Sequence, residues 1–283
     1  MQSNSNTWTE EIKSNTSIWS VNYKEIWHYR DLLLMMVKRN FTNFYKQTIL
    51  GPIWFFIQPI LTTFIYVILF GQVAKLSTDG LPHMPFYLAG ITIWNYFSEC
   101  LSKNATVFKD NSGVFGKVYF PRLIMPLTIV VSGLMRFAVQ FALFIAVVIY
   151  YTFVEKSIHP NLWILATPFL LLLMAGFSMG LGMIFSSLTT KYKDLVFLLT
   201  FGIQLFMYAT PVVYSMSSIP EKYKLYVDAN PLTGIFECFR YAYLGSGSFE
   251  PQSLISSTVI ISILVFVGIL VFNKVEKSFM DTV

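Results

Sequence analysis

Six apolar runs, each close to the length of a membrane-crossing helix, constrain the fold of this chain more than any other feature. They cover approximately residues 52–71, 85–101, 123–153, 161–188, 195–214 and 254–272. A helix needs about 20 mainly apolar residues to cross a hydrocarbon core about 30 Å thick. The second run is short and partly polar, and the third is long enough to tilt or to protrude. We therefore predict an all-α integral membrane protein with six transmembrane helices.

The composition supports this fold class and excludes several kinds of function. Of the 283 residues, 12% are charged, about half the fraction found in an average soluble domain. This length accommodates one compact membrane domain and excludes a large appended enzyme. The two cysteines and three isolated histidines lack the spacing of a metal site or a disulfide framework. The net charge of +5 is explained by membrane topology, so we expect no nucleic acid partner.

The distribution of basic residues predicts the orientation of the spans. Of the 20 lysines and arginines, fourteen fall on the side of the N-terminus, five fall on the other side, and Arg136 lies within a run. Cytoplasmic loops of membrane proteins carry the excess of lysine and arginine. The pattern therefore predicts that both termini lie in the cytoplasm.

The segment before the first run predicts a helix at the membrane surface. Apolar side chains lie near one of its faces, at Ile26, Leu33, Val37, Phe41 and Phe44, whereas the rest is mainly basic. Such a helix suits the cytoplasmic interface, and an ordinary juxtamembrane segment is the alternative. The predicted division is a polar extension over residues 1–23, an amphipathic interface helix over 24–50, and the six-helix domain over 51–283.

Residues 215–249 predict a second irregular region, on the extracytoplasmic side. They are too apolar for a free loop, yet Pro220, Pro231 and several glycines prevent one continuous helix. We predict re-entrant helices before the last span, dipping into the outer half of the membrane, where irregular backbone must be shielded or line a watery cavity. A simple folded loop is the alternative.

Arg136 is the charge that lies deepest in an apolar run. It follows Arg122 by 14 residues, or about 21 Å of helix at 1.5 Å per residue, which places it near mid-membrane. A cation there costs about 2.5–3.5 kcal/mol on insertion, so Arg136 should face a partner, a cavity or a subunit interface. A path for an anionic substrate and a structural ion pair are both open.

Two further pairs of charges have helical spacing. Glu99 and Lys103, four residues apart in the second run, favour a structural ion pair near the cytoplasmic boundary. Glu237 and Arg240, three residues apart in the predicted re-entrant region, leave a structural pair and a gating or substrate-contacting role equally open.

Two short basic loops, residues 109–122 and 191–194, carry aromatic residues between their charges. Aromatic anchors with a charged rim suit docking of a soluble partner, although positive charge in these loops also follows from topology alone. Gly116-Lys117 is followed by Val118 and lacks the glycine spacing of a phosphate-binding loop. With no catalytic constellation either, we predict a chain that is not an enzyme and binds no cofactor itself.

Several short motifs resemble the ABC-2-type permeases of bacterial polysaccharide exporters. In chain order they are Arg30-Asp31-Leu32, Tyr45-Lys46-Gln47-Thr48, Leu50-Gly51, Trp54, Gln58-Pro59, Lys117-Val118-Tyr119-Phe120-Pro121-Arg122-Leu123, Lys191-Tyr192-Lys193-Asp194-Leu195, Pro211-Val212-Val213-Tyr214, Asn230-Pro231, Glu237 and Phe239-Arg240. The resemblance covers nearly the whole chain from residue 25 onward. It is strongest to the O-antigen exporters, with teichoic-acid and capsule exporters as near relatives.

The resemblance implies a homodimer in the bacterial inner membrane that works with two copies of a separate ATPase subunit, which binds ATP and Mg²⁺. Coupling to that ATPase is implied for Phe115, Lys117, Tyr119, Pro121, Arg122, Lys191, Tyr192 and Asp194. A gate helix at the entrance for an undecaprenyl-linked glycan is implied for Arg30, Tyr45, Lys46 and Gln47. The channel or the periplasmic gate is implied for Arg136, Glu237, Phe239 and Arg240.

The predicted function is therefore the transmembrane subunit of an ATP-driven exporter of lipid-linked polysaccharide, with O-antigen as the expected cargo. An ABC-2 exporter of teichoic acid, capsule polysaccharide or a small lipid or drug is the first alternative. A membrane-embedded transferase would need acidic or histidine clusters at a membrane boundary, and a gradient-driven flippase would need intramembrane carboxylates. The sequence disfavours both.

Overall fold

The computed structural model describes residues 23–46, 51–115, 120–192, 194–247 and 249–279. Every regular element in these ranges is helical, which confirms the predicted all-α class for the described part of the chain. The α-helices are α1 (Tyr23–His28), α2 (Arg30–Lys46), α3 (Trp54–Tyr66), α4 (His83–Ala105), α5 (Val107–Asp110), α6 (Ser112–Phe115), α7 (Ile124–Phe153), α8 (Thr167–Lys191), α9 (Leu195–Tyr208), α10 (Glu221–Asp228), α11 (Thr233–Leu244) and α12 (Pro251–Phe279).

Within the described residues, four helical stretches are long and apolar enough to cross a membrane. They are Trp54–Val73, in which a π-helical turn extends α3, Ile124–Phe153, Leu162–Lys191 and Pro251–Val275. These correspond to the first, third, fourth and sixth apolar runs. The other two runs form α4, which is long but less apolar, and α9, which is apolar but has only 14 residues. Six spans therefore stay a prediction.

α4 lies at the centre of the helical bundle. It packs against α3, α7, α8, α9 and α11, and side chains along its length, including Tyr87, Phe97 and Asn104, are almost completely buried. A helix that packs against five others has little surface left for lipid, so it can carry polar residues on the faces that contact protein. This position explains the weak membrane signal of the second run.

Helices α8 and α12 make the most intimate contact between two long helices. Gly180 and Gly268 face one another, and a Cβ atom on Gly268 would lie 2.5 Å from the carbonyl oxygen of Gly180. Small residues allow the backbones of membrane helices to approach this closely. The two glycines thus fix the position of the last long helix against the core.

The helix predicted before the first span is present as α1 and α2, and α2 packs on α7. Met36 and Val37 are buried in this contact, whereas Trp27, Leu34 and Met35 stay exposed. The division at residues 23 and 50 stays a prediction, because residues 1–22 and 47–50 lie outside the described part.

The irregular region between α9 and α12 contains α10, which is exposed, and α11, which is almost entirely buried. α11 packs against α12, α4, α8 and the 3₁₀ turn Leu162–Ala166. Protein therefore shields the backbone of α11, as a segment at membrane depth requires. The re-entrant depth of these helices and their role as a gate stay predictions.

Candidate functional site

A polar cavity of about 580 Å³ lies between α3, α4, α7 and α9. Its polar lining includes Asn95, Glu99, Arg136 and Gln140, with Gln58 and Gln204 exposed at the rim. We call this space the polar cavity. Of the predicted site residues whose side chains the structure describes, only Arg136 lines it.

Helical spacing explains how the polar cavity forms. Asn95, Ser98, Glu99 and Ser102 follow one another at intervals of three or four residues on α4 and therefore share one face. Arg136 and Gln140 on α7, and Thr200 and Gln204 on α9, repeat the four-residue interval. α4, α7 and α9 thus each present a row of polar side chains to the cavity, and their apolar faces are left for packing.

Three charges meet beside the polar cavity, which two of them, Glu99 and Arg136, line. The Arg136 guanidinium donates to Glu99 Oε1, and Lys103 Nζ lies 2.6 Å from the same oxygen. The structure confirms the predicted Glu99–Lys103 pair and adds Arg136 to it. Arg136 also lies over the Phe55 ring, 6.0 Å from its centroid. The structure thus supports the ion-pair alternative for this arginine, and a path for an anionic substrate stays a prediction.

Amide groups continue the polar lining beyond the charges. Asn95 Nδ2 donates to Gln140 Oε1 over 3.2 Å, and Gln140 is 8% exposed. Hydrocarbon cannot satisfy amides or charges, so a polar surface at membrane depth must face water or protein. Neither sequence motif nor resemblance pointed to Asn95, Gln140 or Gln204, although their four-residue intervals with other polar residues were a usable signal.

The second ionic pair, Glu237 and Arg240, is buried. Arg240 is 2% exposed and donates to the carbonyl oxygens of Val212 at 2.6 Å and Tyr214 at 3.2 Å. Its Nη1 lies 3.4 Å from Glu237 Oε1, and its Cζ lies 3.9 Å from the Phe86 ring centroid. Arg240 thus joins α11 to α4 and to the segment after α9.

The remaining predicted gate residue of α11 is Phe239, which lies between the two members of this pair in the sequence. Phe239 is buried and packs on Tyr243 and Phe144, with ring centroids 4.7 Å and 5.4 Å away. Glu237 also lines a second cavity of about 510 Å³, together with Lys224, Glu250 and Ser256. A gating role for Glu237, Phe239 and Arg240 stays a prediction.

A polar junction that the sequence did not reveal joins three loops near α11. Asp79 accepts hydrogen bonds from the hydroxyls of Ser215 and Ser217, and its backbone carbonyl lies 3.5 Å from the Ser246 hydroxyl. These residues are far apart in sequence, so no local pattern could predict the contact. The junction ties the loop after α3 to both ends of the irregular region.

At the other end of the bundle, two predicted coupling residues are buried. Phe115 stacks on Phe120 with ring centroids 5.7 Å apart, and the Arg122 guanidinium lies 5.4 Å from the Phe115 centroid. Phe108 joins Phe115 to Phe272 of α12, with the Phe108 and Phe272 centroids 4.6 Å apart. We call these four rings the aromatic cluster; they form an interior rather than a docking face.

The exposed residues at this end come from two neighbouring loops. The Thr189 hydroxyl donates to the Ala105 carbonyl over 2.6 Å, which holds the end of α8 against the end of α4. We define the coupling surface as the exposed residues beside this contact: Lys109, Asp110, Lys191, Tyr192 and Asp194. Pro121 is half-buried, and Lys117 and Tyr119 lie outside the described residues.

Of the predicted gate helix residues, the structure describes the side chains of Arg30 and Lys46, and neither lines the polar cavity. Arg30 and Lys46 are exposed on α2, where Arg30 lies 3.9 Å from Asp31 and 5.7 Å from the Trp27 ring centroid. Tyr45 belongs to α2, and Gln47 lies outside the described residues. Their role at a substrate entrance stays a prediction.

Apolar helices of membrane-crossing length around a polar cavity are typical of multi-pass membrane proteins. Residues 31–244 match the family model described as ABC-2 type transporter. The chain belongs to this ABC-2 family of transporter membrane proteins.

Relatives of known name span nearly the whole chain. The O-antigen export system permease protein RfbA of Klebsiella pneumoniae is 28% identical over 252 residues, which are 89% of this chain and 94% of the relative. The RfbA protein of Myxococcus xanthus is 24% identical over 263 residues, or 92% and 98% of the two chains. The polysialic acid transport protein KpsM of Escherichia coli is 22% identical over 236 residues, or 82% and 89%.

Proposed function

We propose that this chain is the transmembrane subunit of an ATP-driven exporter that moves undecaprenyl-pyrophosphate-linked polysaccharide, with O-antigen as its cargo, from cytoplasm to periplasm. The observation that carries the proposal is the similarity to O-antigen export permeases over 89% or more of this chain. The polar cavity supplies matching chemistry, because a hydrophilic glycan needs a path shielded from hydrocarbon.

A homodimer provides the wall that one subunit lacks. The polar cavity has exposed polar groups at its rim on α3 and α9, beside exposed apolar residues such as Phe64 and Phe201. A second copy placed against this side would cover the apolar residues and enclose the polar ones. In this arrangement α4 and α9 also cross the membrane, which brings the number of spans to six, and both termini lie in the cytoplasm.

Two copies of a separate ATPase subunit drive the transport. The coupling surface presents Tyr192 between basic and acidic side chains, a composition suited to a protein interface. Phe115 and Arg122 lie behind that surface and connect it, through Phe108, to α12. A push on the coupling surface would therefore reach α4, α8 and α12 together.

Capsule polysaccharide is the second candidate cargo. The relatives named polysialic acid transport protein KpsM support it, since they align with 82% of this chain. Their identity is 22%, compared with 28% for the first O-antigen relative. O-antigen is therefore the cargo that we propose.

Deletion of the corresponding gene in the host bacterium tests this function. We expect loss of surface O-antigen, accumulation of lipid-linked glycan inside the cell, and recovery of both when the chain is restored. The purified chain should retain an ATPase subunit and hydrolyse no ATP without it. Normal surface O-antigen in the deletion strain, with loss of capsule instead, would assign the second cargo.

A further inference from the structure

We propose that the polar cavity is a binding subsite for a single sugar ring within the membrane. The inference rests on the proposed function, because it assumes that a glycan passes this point. It adds to that function a defined place, a set of ligand-contacting residues and a ligand class, namely a neutral, hydroxyl-rich ring.

The hydrogen-bonding groups of the polar cavity have capacity to spare. Both contacts of Glu99 use Oε1, and no described residue donates to its Oε2. Asn95 Nδ2 donates to Gln140 Oε1, and among the described residues Asn95 Oδ1 and Gln140 Nε2 have no hydrogen-bond partner. Two acceptors and one donor are therefore free on adjoining helices. A sugar hydroxyl, which both donates and accepts, can bind to such a mixed set.

Aromatic rings supply the second element of sugar recognition. Trp94 lines the polar cavity and is held by Phe97 and Phe206, whose ring centroids lie 5.4 Å and 6.2 Å away. Tyr66 and Tyr208 line it as well, and Tyr208 is 57% exposed. The C–H face of a sugar ring packs on an aromatic face while its hydroxyls reach polar groups at the edge. Such rings give contact area at low entropic cost.

The charges that line the cavity favour a neutral ligand over an anion. Glu99 and Arg136 both line it and compensate each other, since Arg136 donates to the carboxylate, whereas Lys103 is not part of the lining. A phosphate group would have to compete with Glu99 for Arg136 and would meet its negative charge. A sugar hydroxyl can instead bind to the ion pair without displacing it. The polar lining also disfavours a lipid chain, which would leave these groups without hydrogen bonds.

The size and position of the cavity suit transient binding of one unit of a moving polymer. Its volume of about 580 Å³ lies within the range of roughly 300–1,000 Å³ common for small-molecule sites. The rim residues Gln58, Thr200 and Gln204 are exposed, so a ring can leave toward the second copy. A transport path needs sites weak enough to release what they bind.

Protection of an introduced thiol tests the subsite directly. Thr200→Cys places a thiol of similar size at the exposed rim, and the natural Cys100 and Cys238 are both buried. The full complex with its ATPase subunit is placed in lipid nanodiscs and treated with a charged, water-soluble thiol reagent. The probe is an oligosaccharide of one repeat unit, released by mild acid from the surface glycan of the host.

We expect the oligosaccharide to slow modification of the Thr200→Cys thiol about fivefold at a concentration near four times its dissociation constant. Ser256→Cys is the matched control, because Ser256 is an exposed hydroxyl residue that lines the second cavity. Its modification should not change. Inorganic pyrophosphate should protect neither thiol. Adding Gln140→Leu or Glu99→Gln to Thr200→Cys should abolish the protection, and either variant suffices if the other fails to assemble.

Three outcomes would overturn the subsite. They are equal modification with and without oligosaccharide, equal protection of both thiols, and protection of the Thr200→Cys thiol by pyrophosphate alone, which would identify an anion site. None of these affects the proposed exporter function, provided that the complex retains its ATPase and restores surface glycan. Failure of that restoration would instead remove the proposed function itself.

Discussion

Two ion pairs in apolar surroundings illustrate how differently buried charge can be used. Glu99 and Arg136 lie at the wall of a polar cavity, where Glu99 keeps 27% of its side-chain surface exposed. Glu237 and Arg240 are buried, and the exposed side-chain fraction of Arg240 is 2%. The first pair joins two helices across 37 residues of sequence, and the second lies within one helix. A charge in an apolar run therefore marks a position that needs partners, and the structure shows whether water is one of them.

The largest expected effect comes from the buried pair. Arg240→Leu removes the donors to the Val212 and Tyr214 carbonyls and leaves Glu237 buried. Loss of one partner of a buried pair costs about 3–5 kcal/mol, so we expect little monodisperse protein after detergent extraction. Size-exclusion chromatography of the solubilised chain measures this. The double variant Glu237→Met with Arg240→Met should recover part of the yield. Wild-type behaviour of Arg240→Leu would contradict a structural role for the buried pair.

The open pair should respond less in stability and more in transport. Glu99→Leu leaves Arg136 and Lys103 without their shared carboxylate, and loss of a hydrogen bond to a charged group costs about 1.5–3 kcal/mol. Water in the cavity compensates part of that cost. We expect a lowered melting temperature, measured in detergent, together with a marked loss of surface glycan. If Glu99→Leu lowered the yield as much as Arg240→Leu does, the two sites would not differ.

A conservative change at Arg136 separates charge from geometry. Arg136→Lys keeps the positive charge but loses the planar fork of the guanidinium. We expect near-normal yield and melting temperature, with slower export per complex, because the lysine holds Glu99 in a different position. Arg136→Leu is the matched neutral variant and should reduce export further. Equal export by wild type and both variants would show that Arg136 serves assembly alone.

The sequence predicted the helices better than it predicted their environments. The apolar runs at residues 123–153 and 161–188 correspond closely to Ile124–Phe153 and Leu162–Lys191, since a span needs a fixed length of apolar residues. Hydropathy averages over all faces of a helix, so it could not show that protein surrounds α4. It also could not predict the carbonyl partners of Arg240, which lie 26 and 28 residues earlier in the chain. Such contacts depend on the tertiary fold.

The same limit applies to the site residues: their spacing predicts a helix face but not what that face contacts. The spacing of Asn95, Ser98, Glu99 and Ser102 lies in the sequence and is sufficient to assign them to one face of a helix. The sequence cannot show which neighbouring helix that face meets. Likewise, the loop motifs identified Phe115 and Tyr192 together, although one is buried and the other is exposed. The structure therefore distinguishes a buried packing residue from an exposed one, although the sequence assigned both to the same role.

The smallest expected effect on stability comes from Tyr192, the exposed residue in the comparison with Phe115. Tyr192→Ala removes a side chain that is 50% exposed, and such surface changes usually alter stability by less than about 0.5 kcal/mol. We expect an unchanged melting temperature but weaker retention of the ATPase subunit during purification, because Tyr192 belongs to the coupling surface that we propose as its docking site. Phe115→Ala is the buried counterpart and should cost about 3–5 kcal/mol of stability. Full retention of the ATPase by the Tyr192→Ala variant would remove this residue from the docking interface, even if the variant folds normally.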